Sequence, residues 1–151
     1  MGKLFCRSDN RVEYDELLAA GEDLLEVVLD PGRRARSPQE LYHIVIKPSG
    51  IHLTERGITA LPEPRGGRNW AAGAVVAVGK QDKLWIVEMS IPLKAFDRDG
   101  EARTWGANFA RVARIGGEAS SWSGAARHFY NPAELGTMYL VGPDQQLPLE
   151  R

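Results

Sequence analysis

The sequence has little of what defines disulfide-rich, membrane-spanning or nucleic-acid-binding proteins. Cys6 is its only cysteine, so the chain can form neither an internal disulfide nor a cysteine-based zinc site. No apolar run approaches the length of a membrane span, and the N-terminal residues lack the apolar segment of a signal peptide. The net charge of −1 gives no general attraction for nucleic acid. We therefore expect no nucleic-acid partner and no membrane insertion.

Short runs of alternating apolar residues predict β-strands along most of the chain. Turn signals separate these runs, as at Pro48-Ser49-Gly50, and there is no long amphipathic helix. The predicted strands are Lys3 to Arg7, Leu24 to Leu29, Leu41 to Lys47, Ile51 to Thr54, Ala71 to Val78, Leu84 to Ile91, Thr104 to Ile115 and Met138 to Val141. The segment Ser120 to Ser123 is either a short strand or a loop edge.

This pattern predicts an all-β protein, an antiparallel β-sandwich of jelly-roll or immunoglobulin-like type. One or two short helical turns are expected, at Leu93 to Phe96 and Asn131 to Glu134, where a proline occupies or precedes the first helical position. The 151 residues suffice for one domain, which we expect over residues 1–141 with a C-terminal tail at 142–151.

The strand from Leu84 to Ile91 carries an acid, Glu88, among apolar residues. Neither face of the strand is cleanly polar, so we expect it to be covered on both sides. A carboxylate in such a strand must reach water or find a partner. The strand therefore predicts a polar spot on a packed sheet, and a binding surface is the natural use of such a spot.

Several motifs, in order, resemble family 9 carbohydrate-binding modules. The first is the run Asp23 to Asp30, which is similar to the D-x-x-E strand of that family, and the likeness covers roughly residues 3–141. The other matching segments are Leu4 to Cys6, Ile46 to Gly50, Trp85 to Pro92, Trp105 to Arg111, Ser121-Trp122-Ser123, Asn131-Pro132 and Leu135-Gly136.

The resemblance implies a noncatalytic β-sandwich that binds a polysaccharide or a sugar end, such as xylan or cellulose. It also implies an extracellular or periplasmic location within a longer glycan-processing protein. Two departures favour an alternative, a structural or interaction domain that has lost sugar binding. No tryptophan precedes Asp23 in the segment Glu16 to Gly21, and His43 is the nearest polar residue where the family has a strand arginine.

A sugar site needs an aromatic face for the ring and polar groups for the hydroxyls. Trp122 lies among small polar residues and is the predicted stacking residue, with a packed sandwich tryptophan as the alternative. Trp70 is a second aromatic candidate or a loop anchor, whereas Trp85 and Trp105 are expected in the core. The predicted hydroxyl ligands are Glu26, Asn108, Arg111 and His43. Arg111 has an alternative role as the partner of Glu26 or Glu88 in an ion pair.

Other chemistry finds weaker support. We expect no cofactor, with a structural calcium ion as the alternative because Asp97 and Asp99 resemble a fragment of a calcium loop. Glu26 and Glu88 would be the acid pair in a glycosidase alternative, but strand-embedded acids are common and the sequence assigns no catalytic residue. The chain begins at the family's Leu4-Phe5-Cys6 strand. An open sheet edge is therefore expected, and such an edge allows a homodimer.

Overall fold

A computed structural model of the chain describes residues 22–58, 67–99, 101–113, 117–124 and 129–142. The predicted strand at Lys3 to Arg7 and the tail from residue 143 lie outside these residues. The described strands are β1 Leu24–Pro31, β2 Tyr42–Ile46, β3 His52–Arg56, β4 Arg68–Asn69, β5 Val75–Gln81, β6 Leu84–Ser90, β7 Thr104–Ala113, β8 Glu118–Ser121 and β9 Gly136–Tyr139. Short 3-10 helices span Pro38–Glu40, Leu93–Asp99 and Pro132–Glu134.

The strands form two antiparallel sheets. The larger has seven strands in the order β4-β3-β2-β1-β7-β8, and β9 pairs with β7 on the same side as β8. The smaller is the hairpin of β5 and β6. The prediction of an all-β antiparallel sandwich is thereby confirmed.

The core lies between the large sheet and the β5-β6 hairpin. Alternation turns Val27 and Leu29 of β1 and Ile44 of β2 toward the hairpin, and all are buried. Trp105 of β7 joins them with 2% of its surface exposed, which confirms its prediction as a core residue. Apolar side chains of the hairpin pack against this cluster, namely Val76, Val78, Trp85, Val87 and Met89.

The opposite face of the large sheet is also buried, and it carries polar groups. Glu26, His43 and Asn108 alternate with the core residues of β1, β2 and β7. Apolar residues from outside the sheet pack against this face beside Val28, namely Leu41, Ile58 and Leu135.

The strand β6 is covered on one side only, contrary to the prediction. Trp85, Val87 and Met89 face the core, whereas Glu88 and its neighbours on the alternate face are exposed. The reason is that no described element packs over the outside of the hairpin. Exposed apolar residues on this outer face are Val75 (68%), Leu84 (51%) and Ile86 (51%).

Two predicted turns are confirmed in detail. The β2-β3 hairpin closes with a hydrogen bond from Gly50 N to Lys47 O of 2.9 Å, with Gly50 at φ 86°. Asn131 caps the helix at Pro132–Glu134 by accepting a hydrogen bond from Ala133 N at 3.2 Å.

Candidate functional site

The six side chains predicted to bind sugar lie on different faces of the large sheet. Glu26, His43 and Asn108 belong to the buried polar face. Trp70, Arg111 and Trp122 lie on the side of the β5-β6 hairpin. The sheet therefore separates the predicted ligands into two groups, which we describe in turn.

His43 bridges two acids inside the buried face. Its Nδ1 lies 2.7 Å from Glu55 Oε1 and its Nε2 lies 3.0 Å from Glu26 Oε2. Tyr130 donates its hydroxyl hydrogen to the same Glu26 oxygen. Burial alone would lower the pKa of His43, but the hydrogen bonds and charges of the two carboxylates outweigh it and raise the pKa to about 9. The ring is therefore an imidazolium at neutral pH and donates both N–H groups.

Asn108 is fully buried and is oriented by the turn that follows β8. Its Oδ1 accepts hydrogen bonds from Ser121 Oγ (2.9 Å) and from the backbone N–H of Ser123 (3.1 Å). A backbone N–H can only donate, which fixes the amide with its oxygen toward Ser123. Among the described residues, Nδ2 of Asn108 is buried without a hydrogen-bond partner. A sugar reaches this donor, or the pair of Glu26 and His43, only if the buried face opens.

Trp70 lies in an aromatic cluster on the core side. Its ring centroid is 4.7 Å from that of Tyr42 and 5.1 Å from that of Phe96. Its indole N–H donates to Ala95 O at 2.8 Å. Both the aromatic ring and the N–H group of the Trp70 indole therefore contact the protein, as expected for a loop anchor.

Trp122 is the most exposed tryptophan described, with 56% of its surface accessible. Its ring meets Phe109 edge to face, with centroids 5.6 Å apart. A Cβ atom placed on Gly136 would come within 2.5 Å of the Trp122 ring, so the indole lies directly over that glycine. Neighbouring contacts therefore fix one edge of the indole and leave much of it open to solvent.

Arg111 forms an exposed ion pair with Asp23, which corrects the alternative that it pairs with Glu26 or Glu88. Nη2 of Arg111 lies 2.8 Å from Asp23 Oδ2. The hydrogen bond and the charge of Asp23 raise the pKa of Arg111. Alternation places Arg111 on the same face of β7 as Phe109, about 7 Å along the strand.

A groove extends from this ion pair along the hairpin. A cleft of about 220 Å³ is lined by Leu25, Trp85, Val87 and Arg111. A second cleft of about 410 Å³ shares Trp85 and Arg111 and adds Asp23 and the hairpin turn at residues 80–84. We refer to Trp122, Phe109, Arg111, Asp23 and Trp85 together as the Trp122 surface.

Sequence reasoning missed three members of the Trp122 surface. Phe109 alternates with Trp105 and Ala107, so the pattern could show that it faces the core side but not that the hairpin leaves it 37% exposed. Asp23 is the first residue of the D-x-x-E run, but the sequence pattern points to Glu26 of that run as the ligand. Trp85 packs against the core and also lines both clefts.

Asp97, a calcium candidate, is engaged by other groups. It accepts a hydrogen bond from Tyr42 Oη at 2.9 Å and pairs with Arg56 at 3.2 Å. The described residues contain no group of three or more acidic, histidine or cysteine side chains placed to hold a metal ion. None of the described helices is long and apolar enough to cross a membrane.

Comparison of the chain with models of known protein families, with curated proteins and with solved structures finds no match.

Proposed function

We propose that the chain is a noncatalytic carbohydrate-binding module that holds a polysaccharide or oligosaccharide on the Trp122 surface. One observation carries this proposal: an exposed indole packs on Phe109, and two residues further along the same face of β7 Arg111 forms an exposed pair with Asp23 at the mouth of a groove. An aromatic face beside paired polar groups is the combination that a sugar requires.

The indole supplies the stacking contact. Its flat face matches the C–H face of a pyranose ring, and its few rotatable bonds keep the entropy cost of binding low. The edge-to-face contact with Phe109 and the contact with Gly136 restrict the ring further. Binding therefore requires little reordering of Trp122.

The ion pair supplies hydrogen bonds in both directions. Arg111 offers several N–H donors in a fixed plane, and the Asp23 carboxylate offers acceptors for hydroxyl hydrogens. Both groups remain accessible, with 50% of the Arg111 side chain and 23% of the Asp23 side chain exposed. A sugar that contacts both Trp122 and this pair must span at least the distance from Phe109 to Arg111, which are two residues apart on one strand.

The sequence resemblance supports the same ligand class. Trp122 occupies the W-S segment and Asp23 begins the D-x-x-E run that resemble family 9 carbohydrate-binding modules. The proposal keeps xylan and cellulose as the expected polymers and a longer exported glycan-processing protein as the expected host. One stacking contact and a few solvated hydrogen bonds predict dissociation constants of roughly 10 µM to 1 mM.

The test is calorimetric titration of the full chain with xylo- and cello-oligosaccharides, with and without calcium. We expect saturable binding that Trp122→Ala weakens at least about tenfold, a loss of about 1.4 kcal/mol. Tyr139→Ala is the matched control because Tyr139 is also an exposed aromatic residue, at 40%, but lies outside the Trp122 surface. Absence of binding across the panel, or equal effects of the two substitutions, contradicts the proposal.

The outer face of the hairpin favours a second candidate, an interaction domain. Val75, Leu84 and Ile86 are all more than half exposed, and within the described residues β5 and β6 pair only with each other. Apolar surface next to open strand edges favours association, including a homodimer. If this role holds, Ile86→Lys dissociates the assembly in sedimentation experiments. A wild-type chain that stays monomeric at all concentrations counts against the homodimer.

A further inference from the structure

A third cleft is lined by arginines. It lies where β1 ends and β2 begins and has a volume of about 390 Å³. Its lining contains Arg34, Arg56 and Arg68 together with Tyr42 and the acids Asp30 and Glu40. This volume is in the range of small-molecule sites. It shares no lining residue with the Trp122 surface.

Two of these arginines stand directly opposite each other. In the register of the sheet, Tyr42 of β2 pairs with Arg56 of β3, and Arg56 pairs with Arg68 of β4. Directly paired residues on antiparallel strands have Cβ atoms about 5 Å apart, and like charges at that distance repel. An anion held between the two guanidinium groups attracts both of them and so offsets their mutual repulsion.

Arg56 is held in a defined orientation by two contacts. Its guanidinium carbon lies 3.8 Å from the centroid of the Tyr42 ring, a cation–π arrangement. Its Nη1 lies 3.2 Å from Asp97 Oδ2. The salt bridge uses only one edge of the guanidinium plane, so the edge formed by Nε and Nη2 faces another direction.

The Nε atom on that second edge has an unmet hydrogen-bonding need. Within the described part of the chain, it is a buried donor without an acceptor. A buried donor left unpaired costs free energy, which a bound acceptor recovers. The Nε and Nη2 pair is also the geometry with which arginine holds two oxygens of a carboxylate or phosphate.

The acids in the lining are turned toward backbone groups. Asp30 Oδ1 accepts hydrogen bonds from the N–H groups of Arg34 and Ala35, each at 3.0 Å. Glu40 Oε2 accepts one from the N–H of Arg36 at 2.7 Å. The cleft lining thus contains two acids whose oxygens accept from N–H donors, while Asp97 engages one edge of Arg56 and leaves its second edge for an anion.

We propose that this arginine cleft is a binding site for a small oxyanion ligand, whose carboxylate or phosphate group is held between Arg56 and Arg68. The remaining volume accommodates the rest of a small molecule. The proposal does not depend on sugar binding at Trp122, since the two sites have separate residues.

The test uses the full chain labelled with ¹⁵N and follows the arginine Nε–H signals by NMR at constant ionic strength. The probes are glucuronate, inorganic phosphate and, as a neutral match, glucose. We expect a saturable shift of the Arg56 Nε–H signal with one or both anions and none with glucose. A response to glucuronate alone identifies a carboxylate site, and a response to phosphate alone identifies a phosphate site.

Variants separate a built site from general charge attraction. Arg56→Lys keeps the charge but removes the two-donor edge, and we expect it to weaken binding at least about tenfold. Arg68→Gln tests the second arginine at an exposed position, where folding is not at risk. Arg103→Gln is the control because it removes the same charge from an exposed residue outside the cleft. Shifts that never saturate, or that Arg103→Gln reduces as much as Arg68→Gln does, overturn the proposal.

Discussion

Trp122 meets Phe109 edge to face, with ring centroids 5.6 Å apart, while the backbone N–H of Trp122 donates to Phe109 O at 2.9 Å. The same indole lies over Gly136 of the neighbouring strand β9. The direction in which Trp122 presents its face to solvent therefore depends on two neighbours, one aromatic and one without a side chain. That dependence allows the stacking surface to be disturbed without changing any group that would touch a sugar.

Gly136→Ala is expected to weaken sugar binding by tilting the indole. The new Cβ would lie 2.5 Å from the Trp122 ring, too close for any real contact, so the ring must move. Because the clash involves the far end of a side chain, the fold is expected to adjust at little cost. Tryptophan fluorescence should report the moved ring, and calorimetry should show a dissociation constant raised about three- to tenfold, equal to about 1 kcal/mol.

Gly79→Ala is the matched control for this substitution. A Cβ at Gly79 meets no atom within 4 Å, and the residue lies on β5 rather than beside Trp122. The control should leave fluorescence and binding unchanged. If Gly136→Ala moves the fluorescence but not the dissociation constant, the orientation of Trp122 is irrelevant to binding.

Arg111→Lys is expected to weaken binding without lowering the unfolding temperature. Lysine keeps the positive charge beside Asp23 but lacks the planar set of donors that can hold two hydroxyl oxygens at once. The ion pair is solvent-exposed, so its contribution to stability is small. Thermal unfolding and calorimetry on the same samples separate the two effects, and Arg103→Lys serves as the control. Unchanged sugar affinity would remove Arg111 from the proposed site.

Much of the fold could be predicted because each strand carries its own signal. The alternation of Leu25, Val27 and Leu29 identified β1 and its core-facing side, and the turn at Pro48 to Gly50 located the β2-β3 hairpin. The outer face of β6 could not be predicted in the same way. Leu84 and Ile86 are apolar, which suggests burial. They are exposed because the smaller sheet has two strands and no described element packs on its outer face.

The candidate site was less predictable because it depends on strand pairing. Ser121 and Trp122 are adjacent, yet Ser121 bonds to Asn108 on the buried face and Trp122 packs on Phe109. The sequence cannot show that Glu55 of β3 joins Glu26 around His43, since that contact follows from the register of three strands. Residue type is enough to predict candidate ligands, but strand pairing determines which of them lie on the same face of the sheet.

Phe96→Ala is expected to destabilise the fold strongly. Phe96 is 2% exposed, and its ring lies about 5 Å from those of Tyr42, Trp70 and Trp105. Removing it leaves a cavity in the aromatic core, and such substitutions cost about 3–5 kcal/mol. Urea unfolding should show this loss, whereas Leu93→Ala in the same helix should change stability by less than about 0.5 kcal/mol because Leu93 is 49% exposed. Equal losses would indicate that Phe96 does not organise the core.

The buried imidazolium of His43 predicts a stability that falls as pH rises. Burial lowers the pKa of His43, but the hydrogen bonds that His43 donates to Glu26 and Glu55, with the charges of these carboxylates, outweigh it and raise the pKa from 6.5 to about 9. A group whose pKa is higher in the folded state stabilises it fully below the unfolded value, and that contribution is lost as the pH rises through the folded value. The free energy of unfolding should therefore decrease between about pH 6.5 and 9 by an amount on the order of 3 kcal/mol.

Glu55→Gln is the informative variant for this pH dependence. It keeps the shape of the side chain but removes one of the two negative charges around His43, so the pKa of His43 should fall toward its ordinary value and the pH slope should shrink. His52→Gln is the control, since His52 is an exposed histidine whose ring contacts the backbone oxygen of Gly50 rather than an acid. Urea unfolding across this pH range, with His43 titrated by NMR, provides both readouts. Deprotonation of His43 would leave two buried carboxylates without their counter-charge, so stability must fall if His43 is held as an imidazolium. A wild-type chain whose stability is constant from pH 6.5 to 9 would show that it is not.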